Sequence, residues 1–324
     1  MHSAMDRLRE LADGGTVEPV GISMWKHFPD TDRKADKFFD RTVDFQLRGG
    51  WDFLKIAYHG LYSVEDWPVE IAWPTDESTV GVVARFAIDS PERWKQLEVT
   101  AVSEGALARE LAITARFVER FRGEVPVIAT VFSPLTTAIK MCGDRLFAHM
   151  REEPQALHRG LEVITETTRR FVDELVRIGV DGIFFATQLG TWDRMDWEGY
   201  QEFGKQYDLE VLQRVSCLWF NIFHIHGARP MFEQLCTYPV TALNWHDRTT
   251  DMSIATARTL TDKVLIGGVD EHHTLLTGSD DTVRSELADA VAQDPEKRVI
   301  LGPGCVVPLT VPEERLFQLP KMRP

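Results

Sequence analysis

Asn221-Ile-Phe-His-Ile-His-Gly227 closes a run of apolar and aromatic residues with two imidazoles one residue apart, followed by a glycine. The run begins at Trp219 and reads as a strand over Trp219 to Ile225. Side chains two apart on a strand share a face, so His224 and His226 point together towards one place. A strand that is apolar over most of its length suits a parallel sheet, packed within on one side and covered by helices on the other.

The same rhythm runs outward in both directions. Further strands are expected at Val20 to Trp25, Phe53 to Ala57, Val127 to Phe132, Gly182 to Ala186, Thr241 to Trp245, Val264 to Val269 and Val299 to Leu301. Helical patterns lie between them at Asp32 to Arg48, Pro91 to Arg120, Pro154 to Ile178, Trp197 to Arg214, Met252 to Thr261 and Asp280 to Ala292. Asp30-Thr31-Asp32, Glu153-Pro154 and Ser279-Asp280-Asp281 supply helix-start punctuation, and Gly179 a helix stop. Eight βα units predict an α/β fold of the (β/α)8 TIM barrel type, one domain over residues 1–324. The segment near residues 58–88, with Trp67, Pro68, Trp73 and Pro74, breaks the repeat and reads as a loop inserted over one barrel mouth. A doubly wound open sheet is the alternative, but no G-x-G-x-x-G follows the first strand and no P-loop pattern occurs.

With 44% hydrophobic and 27% charged residues, the composition is that of a globular protein. A net charge of -14 opposes phosphate backbones and anionic lipid, so neither nucleic acid nor membrane is an expected partner. Cys142, Cys217, Cys236 and Cys305 are scattered without a C-x-x-C pair, which argues against a disulfide framework and a zinc ribbon. Met1 to Asp13 lacks the apolar core of a secretory signal, and no run of 18 apolar residues occurs, so a cytoplasmic protein is expected.

Parallel barrels build their chemistry at the C-terminal ends of strands. Here those ends carry Lys26-His27, Tyr58-His59, Ser133, Thr187-Gln188, His224-Ile-His226, Asn244-Trp245-His246, Asp270 and Gly302-Pro-Gly-Cys305. His224 and His226 with Cys305 would make a His2Cys set with an open position, a recognised catalytic zinc arrangement. The bland alternative is one buried hydrogen-bonded histidine, one turn cap and an inert cysteine. Asp270, His246 and Lys26 are candidates for proton handling or substrate anchoring, although His246-Asp247 also reads as a plain loop pair. Trp245, with Trp192 and Trp197, is a candidate lining for a flat ligand, and Trp67 and Trp73 are candidates to close a lid over it.

Pro126-Val-Ile-Ala-Thr-Val-Phe-Ser-Pro-Leu-Thr136, Gly179-Val-Asp-Gly-Ile183, Phe223-His-Ile-His-Gly227, Gly267-Gly-Val-Asp270 and Leu301-Gly-Pro-Gly-Cys305 together resemble the uroporphyrinogen decarboxylase superfamily, which includes zinc-dependent corrinoid methyltransferases. The resemblance implies a (β/α)8 barrel. The decarboxylase branch holds substrate carboxylates with paired arginines after the first strand and gathers pyrrole N–H groups with an aspartate after the second. This chain has Met24-Trp-Lys-His-Phe28 and Lys55-Ile-Ala-Tyr-His59 at those places, without either. The methyltransferase branch takes zinc ligands from H-x-C at the fifth strand and a cysteine at the eighth. His224 and Cys305 match, while His226 stands where that branch has cysteine, leaving a bound zinc one unit more positive.

The resemblance implies a metal-dependent, methyltransferase-like enzyme, with zinc as the expected metal, that activates a thiol or oxygen acceptor for methyl transfer from a corrinoid or small-molecule donor. A metal-independent decarboxylase (carboxy-lyase) of tetrapyrrole metabolism and a non-catalytic corrinoid or tetrapyrrole carrier are the alternatives. A small-molecule substrate, a corrinoid protein as partner and a homodimer are what the resemblance implies.

Overall fold

The computed structural model describes residues 3–74, 76 and 78–324; Met1 and His2, and Thr75 and Glu77 of the expected insertion, lie outside the described residues. Its strands are β1 (Gly21–Ile22), β2 (Leu54–Ile56), β3 (Glu70–Ala72), β4 (Val82–Arg85), β5 (Val127–Phe132), β6 (Gly182–Thr187), β7 (Ile222–Ile225), β8 (Ala242–Trp245), β9 (Val264–Val269) and β10 (Val299–Pro303). All but β3 and β4 join one parallel sheet in the order β1-β10-β9-β8-β7-β6-β5-β2. Without the β3–β4 pair, neighbours in the chain are neighbours in space, as successive βα units require.

The two ends of this sheet approach one another. The Asp52 N–H donates to the Ile22 carbonyl at 2.9 Å, the Phe53 N–H to Ser23 Oγ at 3.0 Å, and the Ile22 N–H to Asp52 Oδ2 at 2.7 Å. The sheet is therefore strongly curled, consistent with a TIM barrel. Apolar residues pack on both of its faces: Trp25, Phe53, Ile128, Phe184, Phe220, Ile222 and Ile266 form an inner cluster, and a larger cluster lies under the helices.

The helix Ala4–Ala12 was not expected from its charged sequence. Ser3 and Asp6 form a capping box at its start, and Leu8 and Leu11 belong to the inner cluster with Phe53, Phe220 and Val264, which stand at the beginnings of strands. One amphipathic helix thus plugs the N-terminal end of the sheet, so the chemistry is left to the opposite end.

Pro154–Ile178 and Asp280–Ala292 form helices with the expected bounds; Ser279 Oγ accepts from the Thr282 N–H, and Gly179 has φ +91° at the helix stop. Two other readings are corrected. The Asp32 to Arg48 pattern becomes a helix only from Ala35 to Gly49, because Asp30–Lys34 turn back with the Thr31 and Asp32 N–H groups on the Phe28 carbonyl. Pro91 to Arg120 splits into a 3-10 segment, Pro91–Gln96, and a helix, Gly105–Phe121. The split follows from tertiary contacts: the Asp66 carboxylate accepts the Ala106 and Leu107 N–H groups at 2.7 and 3.0 Å, and Trp67 Nε1 donates to the Glu98 carbonyl. The inserted segment is more than a loop, since β3 and β4 pair antiparallel within it. No described helix is long and apolar enough to cross a membrane.

Behind the sheet, the buried Asp208 carboxylate accepts from Tyr200 Oη at 2.7 Å and Tyr238 Oη at 3.0 Å. Burial raises its pKa to about 7 against the opposing effect of the two tyrosines. The folded state therefore holds a proton that the unfolded chain releases near pH ~4, and this contribution to stability is lost as pH rises towards 7. The melting temperature of Asp208→Asn should fall less between pH 5 and 8 than that of the parent protein. Leu11→Ala, which empties a fully buried position in the plug, should cost about 2–5 kcal/mol in denaturant unfolding.

Candidate functional site

The side-chain amide of Asn244, on β8, sets the geometry of the site. Its Nδ2 donates to the carbonyls of Ile266 at 2.9 Å and Pro303 at 3.0 Å. Carbonyls only accept, so Oδ1 must be the atom facing His224 Nδ1 at 2.7 Å, and that nitrogen must carry the proton. The lone pair of His224 is left on Nε2, which is buried and has no hydrogen-bond partner. An orphaned buried nitrogen is costly unless something outside the protein meets it.

Around it stand three further donors. His224, His226, His246 and Cys305 each offer an atom, and these four atoms lie within 4.8 Å of one another. His226 Nδ1 is 3.1 Å from His246 Nε2 and 3.8 Å from Cys305 Sγ. In a tetrahedral zinc site, bond lengths of about 2.0–2.1 Å to nitrogen and 2.3 Å to sulfur imply N···N edges of ~3.4 Å and N···S edges of ~3.6 Å. The spacings and the nitrogen and sulfur donor types fit such an ion.

Glycines let these strand ends converge. Gly227 has φ +128°, and a Cβ there would meet the Thr191 side chain at 2.5 Å; a Cβ on Gly304 would lie 2.8 Å from His246 Cα. The second contact shows how the turn after β10 brings Cys305 against the end of β8. Glu271 ties the turn down: its Oε2 accepts from the Gly304 N–H at 3.0 Å, and its Oε1 is 3.2 Å from His246 Nδ1. A carboxylate on one imidazole nitrogen directs the other towards the shared space, as in the outer shell of many metal centres.

The electrostatics follow from crowding one thiol among three imidazoles. Burial raises the pKa of Cys305, but the imidazoles packed around it outweigh that and hold the thiol well below its usual range. Burial lowers the pKa of His224. Burial acts in the same sense on His246, yet its bonds to Cys305 and Glu271 raise it to about 10. A thiolate beside a protonated His246 is the resulting charge state.

The structure thus brings His224, His226 and Cys305 together and adds His246, which the sequence pointed to for proton handling. Asp247 is not its partner; that carboxylate accepts from the Gly268 N–H. Asp270 serves its own loop, accepting from the His272 and His273 N–H groups and from His273 Nδ1. Lys26 Nζ donates to the carbonyls of Leu309 and Val311 and so fastens the C-terminal segment. Trp245 is fully buried in the outer cluster, with Nε1 on the Met252 carbonyl, and Trp67 is anchored to Glu98, so neither joins the four donors. Trp73 packs its edge on His59 at 5.0 Å and carries Arg33 on its face at 3.7 Å. Trp192 is exposed, and Trp197 stacks on Tyr200. Glu271 was missed by sequence reasoning; its only signal was a second acid directly after Asp270 at the end of β9.

Comparison with known proteins fits this geometry into a family. The chain is 28% identical over 138 residues to a uroporphyrinogen decarboxylase of Christiangramia forsetii, a stretch spanning 40% of this chain and 39% of that protein. Its fold is similar to a methyltransferase from Methanosarcina mazei, with a TM-score of 0.86 at 19% identity over 100% of this chain and 98% of the other. A B12-independent methionine synthase from Shewanella sp. W3-18-1 is more distant, with a TM-score of 0.58 at 13% identity and 94% of each chain covered. The model of the uroporphyrinogen decarboxylase (URO-D) family matches residues 22–323, and the chain belongs to that family.

Proposed function

We propose that this protein is a zinc-dependent methyltransferase built on a closed (β/α)8 barrel, and that it prepares a thiol or hydroxyl acceptor to receive a methyl group from a corrinoid or a small methylated donor. The observation that carries the reading is the orphaned Nε2 of His224, aimed by Asn244 into a group of two further imidazoles and a low-pKa thiol. His224 through Nε2, His226 through Nδ1 and Cys305 through its thiolate would hold the metal. When bound, zinc supplies Lewis acidity that lowers the pKa of an acceptor thiol or hydroxyl.

The protein's own residues account for the rest. His246 Nε2 faces the donor group while Glu271 holds Nδ1, so this imidazolium is placed to pair with the anion of the acceptor and stabilise it. Asn244 and Glu271 keep the ligand set rigid before any substrate enters. The likeness in fold to methyltransferase and methionine synthase structures supports the reaction class.

Protein purified without chelators should contain about one equivalent of zinc by elemental analysis. Cys305→Ala and His224→Ala should lose it, whereas His246→Gln should retain it and lose activity. Loss of zinc from His246→Gln would make that residue a fourth ligand instead. Asn244→Leu should weaken zinc binding by about 10–100-fold, read by competition with a chromogenic chelator. Methyl transfer from methylcobalamin to a panel of thiols and alcohols tests the reaction; no zinc and no transfer would reject it.

The partial identity to a uroporphyrinogen decarboxylase supports a second reading, decarboxylation. An assay with uroporphyrinogen separates the two. No turnover is expected, because Met24 to Phe28 contains no arginine to hold carboxylates.

A further inference from the structure

Opposite the histidines, the same interior holds an amine that makes no hydrogen bond or ion pair with any described residue. Phe53 belongs to the inner cluster, so Lys55, two residues on, projects inward as well. Trp25 is also in that cluster, and His27, two residues beyond it, lies against the Ala57 carbonyl at 3.3 Å. On the far side, His224 follows the inner residue Ile222 by the same spacing. The aromatic rings of Trp25, Phe53 and Phe184 lie between the two sides: Trp25 is 5.5 Å from Phe184 and 6.1 Å from Phe53.

Lys55 is 8% exposed, and its Nζ has no hydrogen bond or ion pair with any described residue. Its contact is the Phe184 ring, whose centroid is 4.7 Å away. That ring stacks on His224, centroid to centroid 5.3 Å at 24°. The amine and the donor group therefore flank one phenyl ring, within the length of a small bifunctional molecule. Other cations nearby are already occupied. Arg109 is held by Glu65 and Glu110, and Lys140 Nζ by the Gly60 carbonyl. Burial, reinforced by the charge of Lys55, lowers His27 to about 4 and keeps it neutral.

A buried lysine whose only close contact is an aromatic ring is unfavourable in the free protein, even with the Cys305 thiolate across the interior. Burial lowers its pKa to about 8 against the opposing effect of the Cys305 charge, so the ammonium form still predominates at neutral pH. Lys55 lies on a strand whose position is set by pairing with β5, which makes it a preorganised receptor rather than a mobile surface charge.

We propose that Lys55 is the anion receptor of this site, pairing with a carboxylate, sulfonate or phosphate on the acceptor and orienting its nucleophilic end towards His224, His226 and Cys305. The acceptor's identity at the metal rests on the function proposed above; the anion-binding role of Lys55 does not. Lys55 makes no bond in the reaction and is a positioning residue.

The test uses the full chain loaded with zinc, its Lys55→Met and Lys55→Arg variants, and two sets of probes. Acetate, methanesulfonate and inorganic phosphate are titrated while following thermal unfolding. At least one should stabilise the parent protein and Lys55→Arg but not Lys55→Met, and the one that does identifies the anion class. Lys55→Met without ligand should melt no lower than the parent, since a lysine with a purely structural role would be missed. Calorimetry then compares 3-mercaptopropionate with uncharged 2-mercaptoethanol. The charged thiol should bind at least tenfold more tightly to the parent protein, and Lys55→Met should abolish that ratio. Equal responses of parent and Lys55→Met to all three simple anions would overturn the proposal. Simple anions binding through Lys55 while neither thiol binds would leave the receptor standing and reject the thiol acceptor.

Discussion

The side-chain amide of Asn244 is the contact on which the arrangement of the site depends. From β8 it reaches carbonyls on β9 and β10 and an imidazole on β7, so one residue ties together the ends of four adjacent strands. Its donors can be satisfied only by carbonyls, and its acceptor only by an N–H, so the orientation has a single solution. That solution decides the tautomer of His224, and the tautomer leaves a bare nitrogen facing His226, His246 and Cys305. A leucine of similar size could fill the space but could neither donate to the two carbonyls nor accept from the imidazole.

The curled sheet turns this local constraint into a chamber with two chemically different sides. Inward positions near the strand starts are apolar and are sealed from below by Leu8 and Leu11. Inward positions near the strand ends carry imidazoles and a thiolate on one side and an ammonium on the other. An aromatic floor between them excludes water and lowers the local dielectric, which strengthens each charge and makes an unpaired one expensive. Burial lowers Lys55 and His27 and by itself would raise Cys305, but the surrounding imidazoles outweigh it and the thiol holds its proton only weakly.

Much of this was legible in the order of residues. The long helix at Pro154–Ile178 and the strands at Val127–Phe132 and Val264–Val269 were readable to the residue, because strong periodicity or a continuous apolar run was bounded by proline, glycine or charge. The break at Leu97–Glu104 was not, since it arises where Asp66 and Trp67, distant in the chain, take over backbone groups of the segment. The plug helix escaped notice because its four charged residues hide only two core leucines, and nothing local says that a sheet interior awaits them.

The sequence alone determined the alternation of strands and helices, the placement of polar residues at strand ends and the shared face of His224 and His226, because each follows from periods of two or about four residues. It also pointed to Cys305, through its place after a glycine-rich turn at the end of the eighth strand and through likeness to a family. Only the tertiary structure decided that His246 joins the group, that Glu271 and Asn244 orient it, that Trp245 faces outward, and that Lys55 stands across the interior without a hydrogen bond or ion pair to any described residue. These depend on which strand ends converge when the sheet curls and on which backbone groups are left to be satisfied, neither of which is a property of any short stretch of chain.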